Sequence, residues 1–285
     1  MALSKVFGKL TFSRLQTWLK QLAALKGVTY WMRLGYASKG VIYLIVGLFA
    51  LGEALGFSVP LLGTEGVLLA VTRQPLGLLL LAILAVGIAG YAFWRFVQAL
   101  ADPEHDSSQR PLRLVQRLGY ATSGLSYAGI VYASAEFIGE VSPEQDDTIE
   151  DLAAQLLELP LGIWLLALAG LTVVGIGLVY IYGGLSQAYI SEFRASCREH
   201  METLATWLGQ IGYTARGVAF TVIGAGLLKA AVLSHSEPAG GLQHALSTLE
   251  DQPYGRIGLG VVAAGFVAYA LYAGFVAIYR RFELR

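Results

Sequence analysis

The sequence predicts an all-α integral membrane protein with six transmembrane helices, arranged as three parallel two-helix repeats about a pseudo-threefold axis. Three observations predict it. The 285-residue chain is 55% hydrophobic and only 14% charged, with a mean hydropathy of +0.59, whereas soluble domains carry about 25% charged residues. Six apolar stretches reach the roughly 20 residues that a helix needs to cross a bilayer. One eight-residue phrase is written three times: "RLGYASKG" from Arg33, "RLGYATSG" from Arg117 and "QIGYTARG" from Gln210.

Residues 1–32 precede the first copy. They carry Leu3, Phe7, Leu10, Trp18, Leu22 and Leu25 at spacings of mostly three or four, with lysines between them. That pattern suits an amphipathic helix lying in the inner interface against anionic lipid, or one packed on the bundle or on a partner. Repeat 1 occupies 33–100, with spans Leu34–Leu55 and Leu76–Leu100. A cytoplasmic linker, 101–116, leads to repeat 2 at 117–186, with spans Leu118–Ile138 and Leu161–Leu185. A second linker, 187–209, leads to repeat 3 at 210–279, with spans Ile211–Leu233 and Tyr254–Tyr279, and 280–285 form a cytoplasmic tail.

The register of the repeats is tight. Gly35, Gly119 and Gly212 open the odd spans, each followed by tyrosine, and a second glycine comes five residues later at Gly40, Gly124 and Gly217. The even spans open with "QPLG" at Gln74, "LPLG" at Leu159 and "QPYG" at Gln252, where proline suits a first helical position. From opening glycine to proline the interval is 40 residues in the first copy and 41 in the others. Agreement at three places in register defines an internal repeat. Two spans return the chain to its starting side, so the copies share an orientation and are related by an axis along the membrane normal. Between the spans, "EGVLLAVTRQ", "IEDLAAQLLEL" and "LQHALSTLEDQ" read as short amphipathic outer helices.

Charge sets the expected direction. Lys5, Lys9, Arg14, Lys20, Lys26 and Arg33 precede the first span without an acid, whereas one outer loop holds Glu140, Glu144, Asp146, Asp147, Glu150, Asp151 and Glu158 without a base. The positive-inside rule then places both termini in the cytoplasm. Zero net charge argues against a nucleic-acid partner. Cys197, the single cysteine, excludes an internal disulfide or a cysteine cluster for metal. The histidines (His105, His200, His235 and His244) fall outside the spans, so no haem can be held between helices. With no nucleophile elbow, zinc-protease motif or Walker loop, neither an enzyme nor a cofactor is expected.

The glycine–tyrosine phrases opening the odd spans and the P-x-G phrases opening the even ones resemble the bacterial domain of unknown function 1206 family. The resemblance covers about Arg33 to Tyr279 and departs from the pattern at Leu159, which stands where the other repeats have glutamine. It implies three tandem two-helix membrane repeats in a bacterial inner membrane. It supplies no catalytic residue.

Two sets of residues follow from the repeat. Gly40 and Gly47 lie two helical turns apart, as do Gly217 and Gly224, with Gly124 and Val131 between them in register. Together with Gly35, Gly119 and Gly212 they form small stripes for close helix packing in lipid. The residue before the second glycine is Lys39, Ser123 or Arg216. Intramembrane charge usually faces a bundle interior and marks function, although long basic side chains near a helix end also snorkel. These three are the candidate ring at the inner mouth. Glu53, about 21 Å along the helix from Lys39, joins Glu136 and Lys229 as candidate outer-mouth charges. The last two share a register and are candidates for an ion pair. Two functions compete: translocation of a small, anionic solute along the axis, and a non-catalytic subunit that packs against a membrane complex or organises lipid.

Overall fold

The computed structural model describes residues 12–101, 110–139, 148–186 and 199–280, and every regular element among them is an α-helix. In chain order these are α1 (Phe12–Ala23), α2 (Lys26–Ala54), α3 (Thr64–Thr72), α4 (Gly77–Ala101), α5 (Arg110–Gly139), α6 (Thr148–Leu157), α7 (Gly162–Ser186), α8 (Glu199–Leu233), α9 (Leu242–Glu250) and α10 (Gly255–Tyr279). Each repeat is a long helix, a short one and a second long one. Five helices are long and apolar enough to cross a membrane: α2, α4, α7, α10 and the Met201–Leu233 part of α8, with mean hydropathies from 1.6 to 2.3. The 30-residue α5 is the least apolar of the long helices. The acidic residues from Glu140 to Asp147, Cys197 and the tail from Arg281 lie outside the described residues.

The odd helices start earlier than hydropathy indicates. α2 begins at Lys26, α5 at Arg110 and α8 at Glu199, so the second halves of both expected linkers are helical. Pro111 does not prevent this, because in a first turn its missing N–H would have no partner in any case. α1 packs against the bundle, one of the two expected placements. Leu19 and Ala23 are buried, and Gln16 Nε2 donates to the Leu100 carbonyl at 2.9 Å. Trp18 faces outward.

The P-x-G phrases form turns rather than first helical turns. The Gly77 N–H donates to the Gln74 carbonyl at 2.8 Å, Gly162 to Leu159 at 2.9 Å and Gly255 to Gln252 at 2.6 Å. Proline occupies the second turn position and Leu76 or Tyr254 the third, at φ +61° and +64°, the pattern of a type II turn. The glycine that follows is a steric requirement. A Cβ on Gly77, Gly162 or Gly255 would enter a backbone carbonyl of the short helix just ended, from Thr72, Leu156 or Glu250 respectively.

Around the bundle the long helices neighbour one another in the order α7, α8, α10, α2, α4, α5. Small residues set their approach. A Cβ on Gly35 would lie 2.5 Å from the Tyr91 nitrogen of α4, and one on Gly212 would lie 2.6 Å from the Tyr269 Cα of α10. Gly40 and Gly47 face Ala270 and Ala263 of α10, Gly217 and Gly224 face Gly177 and Gly170 of α7, and Gly124 meets the Phe96 ring of α4.

The ring does not close between α5 and α7, which are not packed together among the described residues. The cause lies at the point of closest approach within a repeat. In repeat 1 it is Gly87, where a Cβ would come 2.9 Å from the Ser38 Cβ; in repeat 3 Gly265 meets the Ala215 Cβ in the same way. Repeat 2 has Thr172 in that register, opposite Thr122, and both are exposed. Two β-branched side chains replace a glycine and a small residue, so the backbones cannot approach. Consequently Gly119, expected to pack like Gly35, has nothing within 4 Å of its Cβ position. Gly175 is equally bare, although a Cβ on its repeat-1 counterpart Gly90 would lie 2.5 Å from the Trp31 carbonyl oxygen.

Candidate functional site

The buried face of α2 runs through Tyr36, Lys39, Tyr43, Val46 and Ala50, a spacing that keeps one stripe toward the core. Lys39 is fully buried and Arg216, at the same register of α8, is 2% exposed. Both point inward, not to the interface. Lys39 Nζ donates to the Tyr91 hydroxyl at 2.8 Å and lies 4.2, 4.9 and 5.0 Å from the ring centres of Tyr91, Tyr127 and Tyr269. Arg216 donates through Nε to the Tyr43 hydroxyl at 3.1 Å and through Nη1 to the Tyr269 hydroxyl at 2.9 Å. Its guanidinium lies 4.6–5.5 Å from the rings of Tyr269, Tyr180, Tyr43 and Phe220. Tyr269 therefore touches both cations.

A third cation joins them. Arg95 of α4 donates through Nε to the Tyr91 hydroxyl at 2.7 Å and through Nη1 to Gln98 Oε1 at 2.9 Å, and it lies 5.3 Å from the Tyr120 ring. Arg95 was not among the sequence candidates, because it lies on an even helix, outside the register shared by Lys39, Ser123 and Arg216. The signal was present: one arginine four residues after Tyr91 in an otherwise apolar span. The tyrosines were missed too, because an aromatic stripe at helical spacing is ordinarily core. Here Tyr43 and Tyr91 bond the cations through their hydroxyls and pack edge-on against Tyr269 and Tyr127 respectively.

The cation–tyrosine bond is itself repeated. Lys39 and Arg216 stand four residues after their opening glycines, and Tyr91 and Tyr269 fourteen after theirs. The same contact thus joins odd and even helices in repeats 1 and 3. Repeat 2 has Ser123 and Ile176 at these registers, and Ser123 is only half-buried. Of the outer charges, Glu53 is half-buried near the end of α2, while Glu136 and Lys229 are exposed. They lie on α5 and α8, which are separated by α7 in the ring, and no ion pair joins them among the described residues. Other arginines have structural roles at helix ends. Arg33 donates to the Ala277, Ile278 and Arg280 carbonyls closing α10, and Arg117 donates to Ala99 and Leu100 closing α4. Basic side chains suit those carbonyl-rich ends. Arg280 bonds the Tyr36 hydroxyl at 2.6 Å.

The chemistry of the core is one-sided. Lysine offers three N–H donors and arginine five, with no acceptor on either. The acceptors bonded to Lys39, Arg95 and Arg216 are neutral tyrosine hydroxyls and one glutamine oxygen; among the described residues no carboxylate bonds to them. Removing each charge from water costs several kcal/mol. A desolvated cation–π contact returns about 2 kcal/mol, so the rings soften the cost without cancelling the charge. The core is a fixed positive field with donors in surplus.

These features define a helical membrane-type protein of three tandem repeats around a cationic, tyrosine-rich core. The chain belongs to the family described as Domain of Unknown Function (DUF1206), which matches it three times, at residues 34–102, 118–187 and 211–280. It is 30% identical over 251 residues to "Uncharacterized protein YxxB" of Bacillus subtilis (strain 168), an alignment covering 87% of this chain and 90% of that protein. No solved structure matches.

Proposed function

We propose that the chain crosses a bacterial inner membrane six times with both termini inside, and that its core binds a small anion and passes it along the pseudo-threefold axis. The donor surplus around Lys39, Arg95 and Arg216 carries this reading: a low-dielectric site with three cations and, among the described residues, no bonded carboxylate is completed electrostatically by a mobile anion. The polar α5 suits a sixth span because three of its hydroxyls are satisfied within the helix. Thr122, Ser126 and Ser134 each donate to the carbonyl four residues back, at 3.0, 3.0 and 2.7 Å, a pattern that lets such residues sit in lipid. Rings fill the core around Lys39, so this is a closed form, and conduction requires tyrosines to turn aside. The role is binding and permeation without catalysis.

The test is anion flux from liposomes holding the purified chain. Phosphate or chloride release should exceed that of protein-free vesicles, and Lys39→Met with Arg216→Gln should remove at least about tenfold of it while far-ultraviolet circular dichroism stays unchanged. Release no faster than from empty vesicles sinks the proposal.

The competing reading, a non-catalytic subunit, is favoured by the apolar outer face of α7, where Trp164, Leu168, Leu171 and Tyr182 are each more than 60% exposed. Lipid alone satisfies such a face in a membrane, so the cationic core is the observation that favours the anion-binding reading.

A further inference from the structure

Building on the anion-binding reading, we infer that the anion is the head of a membrane amphiphile, an anionic lipid, and that it reaches the core sideways through the open seam between α5 and α7. Entry along the axis requires the core rings to turn aside; the seam offers a second, lateral approach to the same cations. The seam is the one interval in the helix ring where neighbouring long helices are not packed together among the described residues, and on the six-span reading it faces lipid rather than water.

The cations stand directly behind its walls. Lys39 Nζ lies 4.9 Å from the Tyr127 ring of α5, Arg95 lies 5.3 Å from Tyr120 of the same helix, and Arg216 lies 4.7 Å from Tyr180 of α7. Tyr120 and Tyr180 are only half-buried, so one ring on either side separates the positive field from the membrane. In repeats 1 and 3 the equivalent interval is closed by the lysine– or arginine–tyrosine bond; here Ser123 and Ile176 leave it without a clasp. The depth also fits. Gly119, bare on this side, is two residues from Arg117, which caps the end of α4, and four residues, about 6 Å along a helix, from the register of the cations. A headgroup at the level of Arg117 therefore has a short path inward while its acyl chains stay between α5 and α7. Charge complementarity selects an anionic head, and the apolar walls select chains rather than a hydrated ion.

The experiment uses the purified full chain in dodecyl maltoside micelles, titrated separately with fluorescent phosphatidylglycerol, phosphatidylcholine of the same chains, and inorganic phosphate. Phosphatidylglycerol should bind at least about tenfold more tightly than phosphatidylcholine. Gly119→Trp and Gly175→Trp, each placed where a side chain meets open space, should weaken it by about tenfold and leave phosphate binding unchanged. Phosphatidylglycerol binding that is untouched in both variants, or no stronger than phosphatidylcholine binding, overturns the inference. If phosphate binds and phosphatidylglycerol does not, the lipid inference falls and the small-anion reading stands; if neither binds, both fall. Variants that turn a dimer into a monomer without weakening lipid binding would make the seam a contact between copies, and would likewise overturn it.

Discussion

Gly35 and Gly119 occupy one register and have opposite surroundings. A methyl on Gly35 would press on the backbone of Gly87 and Tyr91, whereas one on Gly119 would meet open space. Overpacking costs about 1–3 kcal/mol, while replacing glycine by alanine within a helix gains about 1 kcal/mol. Gly35→Ala is therefore expected to lower the melting temperature in detergent, and Gly119→Ala to raise it slightly; equal effects would mean the two glycines share an environment. Tyr269 makes a second test at this scale. Tyr269→Phe removes the acceptor for Arg216 Nη1 and should destabilise by about 1.5–3 kcal/mol, the range for a hydrogen bond to a charged group. Tyr182→Phe, on the exposed face of α7, should be silent in the same melting experiment.

The turn before each even helix shows how a short phrase positions a long element. Proline fixes the second turn position, an αL residue (Leu76 or Tyr254) turns the chain before α4 and α10, and in all three repeats glycine clears the carbonyls of the short outer helix. Leu76 and Tyr254 hold that αL conformation without being glycine, at a cost of roughly 1–2 kcal/mol. Tyr254→Gly should recover part of this and raise the melting temperature, because its side chain is 86% exposed and contributes little packing. Gly255→Ala should do the reverse by more, since its Cβ would enter the Glu250 carbonyl. A stable Gly255→Ala variant would rule out the steric account of the P-x-G phrase.

For the whole molecule, the decisive feature is that a threefold sequence makes an incompletely closed ring. If Thr122 and Thr172 hold α5 and α7 apart, Thr122→Ala with Thr172→Gly should let the middle repeat close as its neighbours do. The readout is a disulfide between Gly119→Cys and Ile176→Cys in a Cys197→Ser background, at the register where Gly35 meets Tyr91 and Gly212 meets Tyr269. It should form quickly with the closing substitutions and slowly without them; equal rates would separate the seam from the threonines. Topology is checked in the same background. A cysteine replacing Gln109 should react only from inside and one replacing Asp146 only from outside, and reaction of both from one side removes the six-span arrangement.

The sequence by itself determined the class of fold, the three repeats and all but Gly119 of the glycines that join them, because helix length, turn chemistry and small-residue stripes are local properties that recur at fixed intervals. It also marked Lys39 and Arg216, because charge in an apolar span stands out against its own neighbours. It held the difference at Thr172 as well, but that residue acquires meaning only once Gly87 and Gly265 are seen against Ser38 and Ala215. Tertiary structure alone decided that Lys39, Arg95 and Arg216 share one core, since Arg95 comes from an even helix and Tyr269 links repeats far apart in the chain. It also decided that Glu136 and Lys229 do not meet, because helix order around the ring follows from which backbones can approach, and that is a property of pairs of surfaces.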